Sequence, residues 1–487
     1  MDSIKTKGLY FVDEQGRFRL FNGINIDDKA IGDVFRHNLD EEFFSKYVAK
    51  GFNLIRLAIT WANIEPEMEK YSESYLSSID KIFALAEKYG VYILLDMHQD
   101  LYSGYEGIGD GDGAPPWACV MDGHKARASK LVWAEAYIFG KFVHSCFDHF
   151  WKNDLVAGRG LQDRFADMWQ MLAKRYGDSP ALFGFDLLNE PFPGSYGQKI
   201  FFRLVASGAR QIITSKKIRR VDLISALVKK DNKKLLDSFP GSVVRDIVGK
   251  CDEISGKFDR EYYSPFLNRV STAIREITPK GIIMIEQPYF CNTGIRLSAQ
   301  PITVNGEREP LQCYGPHSYD LTVDTPLYQY ANADRVKAFF NEMRNAQMRL
   351  QVPTIVGEWG GCSNNKDTSW FPHANELLDY FDENMWGQLY WDYHGDDLDA
   401  PLMDMLSRTY PVAVNGTDIK YYRSEDKKTF TLTYNSDKQG ESLIYAHKSC
   451  KIETNGTASV IADYKNGAAL ISVNADKGEN KVVLNFE

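Results

Sequence analysis

Apolar runs and amphipathic stretches alternate along this chain in a regular order. Eight short runs rich in Val, Ile, Leu and Phe recur, at residues 19–25, 53–59, 91–97, 182–189, 281–286, 312–317, 353–358 and 387–392. Each is followed by a loop and then by a longer stretch of helical periodicity, as repeated βα units require. The pattern predicts an α/β fold, a (β/α)8 TIM barrel, with helices over 75–89 and 162–176 that close at Gly90 and Gly177. Six of the runs end in a polar residue, and the other two, closing on Ile59 and Met97, are followed at once by Thr60 and His98. In such a barrel the C-terminal strand ends form the face that carries chemistry, while the apolar residues before them fill the interior.

Spacing exposes one irregularity. Glu190 and Glu358 are 168 residues apart, where three βα units of a ~250-residue barrel take roughly 95. The surplus predicts a helical insertion at about 195–262 in the barrel. Within it, residues 199–250 carry thirteen Lys/Arg against four Asp/Glu. Such an insertion over the barrel mouth reads as a lid, as a surface that approaches anionic lipid, or as a solvated helical cover. Past Pro411 the pattern shifts to short alternating segments at 429–434, 442–446, 458–462, 469–473 and 481–486, separated by Asn, Asp and Gly. They predict an antiparallel β-sandwich. The expected division is a barrel over 1–408 and a small C-terminal sandwich over 409–487. The sandwich is expected to pack against the barrel, with contact to a carbohydrate or lipid surface as the alternative.

With 487 residues, 44% hydrophobic and 25% charged, the composition is that of a globular protein with room for one large domain and a small one. A net charge of −9 argues against nucleic acid as a partner, because phosphate binding wants a basic field. No stretch approaches the ~18 apolar residues of a membrane helix, and residues 1–7 lack the apolar segment of a secretory signal. Seven cysteines with no C-x-x-C pair suggest neither a zinc cage nor a dense disulfide framework.

The polar strand ends make a set: Arg56; Asp96 with His98 and Asp100; Asn189 with Glu190; His317 with Tyr319; Glu358; and Trp391. Cleaving an acetal with retention of configuration needs one carboxylic acid to protonate the leaving oxygen and a second carboxylate ~5 Å away to attack the anomeric carbon. Glu190 and Glu358 are the expected acid/base and nucleophile, the charge of Glu358 raising the pKa of Glu190. Arg56 and Tyr319 are expected to hold Glu358 ionised with a lowered pKa, and Asn189 to bind the sugar 2-OH. Trp391 is expected to stack under a sugar ring, with His98, Asp96 and Asp100 gripping hydroxyls and His317 beside them. This chemistry needs no metal and no cofactor. Taken singly, each residue has an ordinary structural explanation; together they recur at the correct end of consecutive strands.

The order Arg56, His98, Asn189-Glu190, His317-x-Tyr319, Glu358, Trp391 resembles glycoside hydrolase family 5. Within that family, the segments 54–66, 94–100, 113–118, 147–151 and 184–191 are similar to the endoglycoceramidases, and the resemblance extends to the C-terminal sandwich. It implies the acid/base on strand four, the nucleophile on strand seven, and a retaining endo-β-glycosidase that releases intact glycan from the ceramide of a glycosphingolipid. Lys29 in Ile26-Asp-Asp-Lys-Ala-Ile looks like the family's sugar-binding lysine after strand one. A monomer, transient contact with a membrane surface and a secreted location are expected with it. Phe192, Phe201, Phe202, Leu204 and Val205 are candidate walls of an apolar groove for the lipid, or the packing of a lid helix. The basic insertion and Glu286-Gln-Pro-Tyr-Phe-Cys-Asn-Thr depart from the family pattern. The rival readings are a β-glucosidase or galactosidase acting on a single-sugar lipid (glucosylceramide, galactosylceramide or a sterol glucoside), a family 5 endoglucanase, and a glycolipid-binding protein without catalysis.

Overall fold

The structure, a computed structural model, describes every residue except 105–110, 127–132, 363, 365, 394, 396, 465 and 487. Its barrel strands are Asn22–Asp27, Leu54–Thr60, Tyr92–His98, Leu182–Asp186, Ile282–Glu286, Gln312–Gly315 with His317–Ser318, Ile355–Gly360 and Gly387–Trp391. All pair in parallel. The sixth is split at Pro316, which has no N–H to give to a ladder. Its first half pairs with the fifth strand and its second half with the seventh. The Gly357 N–H donates to the Pro316 carbonyl at 2.9 Å, so the two halves together close the barrel.

Side chains alternate between the two faces of a strand, and the inward column changes from apolar to charged toward the C-terminal end. Leu54 precedes Arg56, Leu94 precedes Asp96 and His98, and Met284 precedes Glu286. The lower interior is a dry plug that includes Phe21, Leu54, Tyr92, Leu94, Phe183 and Met284, with Ile4 and Phe11 packed into it. Phe11 meets the rings of Phe21 and Phe183 edge-on at 5.6 and 5.5 Å.

Ile4 and Phe11 belong to a segment that corrects the expected division of the chain. Strands Lys5–Lys7, Tyr10–Val12 and Phe18–Arg19 lie outside the barrel. They extend the sheet built by Tyr410–Val414, Gly440–Ala446, Ala469–Ala475 and Thr457–Asp463. A second sheet of Thr417–Arg423, Thr429–Ser436, Gly478–Phe486 and Cys450–Thr454 completes the sandwich. The barrel therefore begins at Asn22, and the residues before it belong with 409–487 rather than with a domain starting at residue 1. These first strands are two or three residues long, too short for alternation to register.

The surplus before strand five is helical: Ser195–Thr214, Arg220–Lys229, Asn232–Asp237, Gly241–Val248 and Asp252–Phe258. Helix Glu73–Tyr89 starts on Ser72, whose hydroxyl accepts the Tyr75 N–H, and ends on Gly90 at φ +72°. Helix Leu161–Tyr176 ends on Gly177 without a left-handed turn; glycine is needed there because a Cβ would collide with the Ala173 carbonyl. All seven cysteines are free thiols. Among the described residues no helix is long and apolar enough to cross a membrane.

The sandwich grips the barrel through two tyrosines. Tyr410 donates its hydroxyl to the Gly51 carbonyl at 2.7 Å, and Tyr445 donates to the Ala49 carbonyl at 2.8 Å. Gly51 stands at φ +80° with the Tyr445 ring against its Cα. Gly51→Ala combines a left-handed backbone cost with overpacking and is expected to destabilise the protein by about 2–4 kcal/mol. Thermal unfolding checks this, and an unchanged midpoint would contradict the contact.

Candidate active site

Arg56 points inward from strand two and is fully buried. Its Nη1 donates to Glu358 Oε1 at 2.7 Å and to Asn25 Oδ1 at 3.0 Å, and its Nε to Asp186 Oδ2 at 2.8 Å. Its Nη2 donates to Asn189 Oδ1 at 3.0 Å and lies 3.0 Å from Asp96 Oδ1 and 3.3 Å from Glu286 Oε2. One guanidinium thus faces four carboxylates, which cannot all ionise at full charge in a buried site. Burial, with Asp96 adding to it, holds Asp186 up at about 6 despite Arg56. Burial and the Asp186 charge push Glu286 well above the ordinary carboxylate range.

Glu358 and Glu190 meet above this layer. The second oxygen of Glu358 accepts the Tyr319 hydroxyl at 2.6 Å. Glu190 Oε1 accepts an N–H from the Asn292 amide at 2.5 Å and lies 3.1 Å from His317 Nδ1. One carboxylate oxygen of each glutamate and a ring nitrogen of His317 all fall within 4.8 Å of one another. That matches the ~5 Å separation for attack with retention and is short of the roughly 6.5–9.5 Å that admits a water for inversion.

Burial pushes Glu190 well above its ordinary value, and the charges of Glu358 and Asp100 push it further. Burial also raises Glu358, contrary to the expectation of a lowered pKa; Arg56, His98 and the Tyr319 hydroxyl oppose the rise without cancelling it. A cation and a hydroxyl on Glu358 leave the proton that the pair shares on Glu190. Burial and the Arg56 charge hold His317 well below its ordinary value, so it stays neutral between the two.

The backbone at Glu190 has φ +41°, in the left-handed region. The Gln99 amide donates to the carbonyls of Asn189 (2.9 Å) and Glu190 (3.3 Å), and Glu286 Oε1 accepts the Glu190 N–H at 2.5 Å. These bonds hold a conformation that costs a non-glycine residue ~1–2 kcal/mol.

A polar wall adjoins the pair. His98 Nδ1 lies 2.7 Å from Asp96 Oδ2, and Lys29 donates to Asp100 Oδ2 at 2.6 Å. Burial disfavours a charge on His98, yet Asp96 and Asp100 hold it well above its ordinary value. The Trp391 ring stacks on His98 at 5.2 Å and 12°, with the Lys29 ammonium 4.8 Å from its centroid. Asn189 Nδ2 stands 3.4 Å from His98 Nε2. The structure thus brings Lys29, Arg56, Asp96, His98, Asp100, Asn189, Glu190, His317, Tyr319, Glu358 and Trp391 into one connected site. Two acid groups close enough to hold a cation already have one: Arg56 amid Asp96, Asp186 and Glu286, and Lys29 against Asp100 in the group with His98 and Asp112.

Sequence reasoning passed over Asn25, Asp186, Glu286 and Asn292 as members of the site. Asp186 and Glu286 are carboxylates inside apolar strands, a signal that was available. Asn292 lies in the short turn Tyr289–Thr293, whose approach to Glu190 no spacing reveals. Of the candidate groove walls, Phe192 is corrected: it is fully buried among the rings of Tyr137, Phe147 and Phe290. Phe201 and Leu204 are half-buried, and Phe202 and Val205 are exposed.

The profile of the family Cellulase (glycosyl hydrolase family 5) matches residues 13–233 and 250–397. An endoglycoceramidase of Hydra vulgaris is 29% identical over 224 residues, 40% of this chain, and the match spans only 41% of that protein's length. Endoglycoceramidase I of Rhodococcus hoagii is 27% identical over 428 residues, 85% of this chain and 73% of its own. The fold is shared with endo-glycoceramidase II from Rhodococcus sp., solved as a lactosyl-enzyme intermediate, at a TM-score of 0.74 and 23% identity over 98% of this chain and 99% of that one.

Asn292 stabilises the charged form of Glu190, so Asn292→Ala is expected to raise the Glu190 pKa. Loss of a hydrogen bond of ~1 kcal/mol corresponds to about 0.5–1 pH unit. The basic limb of kcat/KM, which follows deprotonation of Glu190, then moves to higher pH on a glycoside with an unactivated leaving group. A limb that stays in place or moves to lower pH would refute the contact's role.

Proposed function

The chain belongs to the Cellulase family, glycosyl hydrolase family 5, and from that premise we propose that it is a retaining endo-β-glycosidase that cleaves the bond between glycan and ceramide in glycosphingolipids. The observation that carries the mechanism is the approach of Glu190 and Glu358 to within 4.8 Å. Glu358 attacks the anomeric carbon as the bond from that carbon to the ceramide oxygen breaks, and the proton of Glu190 goes to the departing oxygen. The product is a glycosyl ester on Glu358 and free ceramide. Glu190, now a carboxylate, takes a proton from water, whose oxygen attacks the same carbon and releases Glu358. Two inversions give net retention.

Consumption of the Glu358 charge in the ester removes one of the causes that raise Glu190, which suits its change from acid to base. In this reading Asn189, hydrogen-bonded by Arg56, binds the sugar 2-OH, and Lys29, His98, Asp100 and Trp391 hold the first sugar. Ceramide as the leaving group is supported by the endoglycoceramidase relatives, above all the match to the Rhodococcus hoagii protein over 85% of this chain. A monomeric, secreted protein that meets its substrate at a lipid surface belongs to the same proposal.

Two measurements test it. Incubation with a ganglioside, lactosylceramide, glucosylceramide, a galactose-series glycolipid and soluble β-glucan, followed by mass spectrometry, is expected to yield intact oligosaccharide plus ceramide. Release of single sugars alone, or cleavage of glucan alone, would transfer the chain to a rival reading. Glu190→Gln is expected to cost about 10²–10⁴-fold on glycolipid while sparing glycosyl transfer from an activated aryl glycoside. Equal loss on both substrates would remove Glu190 from the acid role.

A further inference from the structure

Helix Arg220–Lys229 is apolar on two sides. Leu223 packs inward in a small cluster with Ile218 and Val243, and Ala226 is buried on the same side. On the other side Val221, Ile224 and Val228 are 78%, 60% and 78% exposed, at the i, i+3, i+7 spacing of a single face, with Leu227 beside them. The neighbouring helix Ser195–Thr214 repeats the arrangement with Phe202, Val205 and Ile213, all exposed. Phe139, also exposed, reaches that ridge through Phe201, its ring 5.9 Å away. A helix with apolar faces on both sides has a partner for the second, and contiguous exposed apolar surface marks an interaction site.

Charge selects the partner. Thirteen Lys/Arg against four Asp/Glu give residues 199–250 a net +9 in a chain of −9, so the remainder carries −18. Helix Ser195–Thr214 contains no acid at all. Apolar ridges bordered by exposed cations fit an anionic bilayer, whose headgroups attract Lys/Arg while the acyl boundary takes the apolar side chains. The rest of the surface would be repelled from that bilayer, so docking is confined to this face. The arm also continues directly from the acid/base loop, and the junction is pinned to helix Lys141–Trp151: Trp151 Nε1–H donates to the Phe192 carbonyl at 2.8 Å, and the Ser195 N–H to Asp148 Oδ1 at 2.8 Å.

We propose that the helices Ser195–Thr214 and Arg220–Lys229 form a docking arm that seats the protein on an anionic lipid surface beside the barrel mouth. The inference rests on the glycolipid reading for its purpose, but lipid binding needs no substrate and is measured apart from catalysis.

The experiment is co-sedimentation of the full chain with phosphatidylcholine vesicles, with and without phosphatidylserine, at low and high salt. Binding is expected only with phosphatidylserine and is expected to weaken with salt. Val221→Glu/Ile224→Glu/Val228→Glu and, separately, Lys229→Glu/Lys230→Glu should each reduce it at least about tenfold, given ~1 kcal/mol per basic residue near an anionic surface. Both variants should keep wild-type turnover of a soluble aryl glycoside, which shows that they are folded. No binding by the wild type, equal binding to both vesicle types, or wild-type binding by the triple variant would overturn the proposal. So would a concentration-dependent dimer, seen by light scattering, that the triple variant abolishes, since the ridge would then serve a second copy of the chain. Vesicle binding without glycolipid turnover would sink the substrate reading and leave the docking arm standing.

Discussion

The guanidinium of Arg56 sits in a dry barrel between Asp96, Asp186, Glu286 and Glu358, and the geometry of the site follows from that single cation. Its N–H groups are directed to acceptors on the ends of strands one, four, five and seven, with the Asp96 carboxylate of strand three ion-paired at 3.0 Å, so each contact also sets the position of a strand end. A buried charge missing one partner costs several kcal/mol, roughly 3–5 when a buried pair is broken. The carboxylates therefore fix Arg56 as firmly as Arg56 fixes them. Because one cation cannot neutralise four anions, part of the layer stays protonated, and Glu286 in that state still accepts the backbone N–H that holds Glu190 in its left-handed turn.

Above that layer the two glutamates differ in what touches them rather than in kind. Glu358 has the guanidinium and a tyrosine hydroxyl, Glu190 an amide and a neutral histidine. Equal burial then produces unequal acids, the condition for one to protonate a leaving group while the other attacks. The sandwich contributes from below. Its N-terminal strands carry Ile4 and Phe11 into the base of the barrel, closing the apolar plug on which the ion layer stands.

What the sequence reveals and conceals has a physical pattern. The barrel strands are legible because each is an apolar run bounded by polar residues, and Glu190 and Glu358 because they stand where such runs end. Asp186 and Glu286 carry the same mark, but a one-dimensional reading does not show that they share Arg56 with Glu358. Residues 5–19 are opaque for a different reason: their strands, two or three residues long, are too short to display alternation, and the strand that joins them to the sandwich has its partner some four hundred residues away, Arg19 pairing with Ala413. The basic insertion is legible as charge, whereas the exposure of Val221, Ile224 and Val228 appears only when the helix is seen to bury Leu223 on its opposite side.

The central claim, that Glu358 attacks and Glu190 supplies the proton, is tested most directly by trapping the ester. The protein is treated with a 2-deoxy-2-fluoro glycosyl fluoride, digested, and its labelled peptide sequenced by mass spectrometry. The account predicts one glycosyl ester, on Glu358. A label on Glu190 or Glu286, or turnover to a product of inverted configuration with no ester formed, would contradict it.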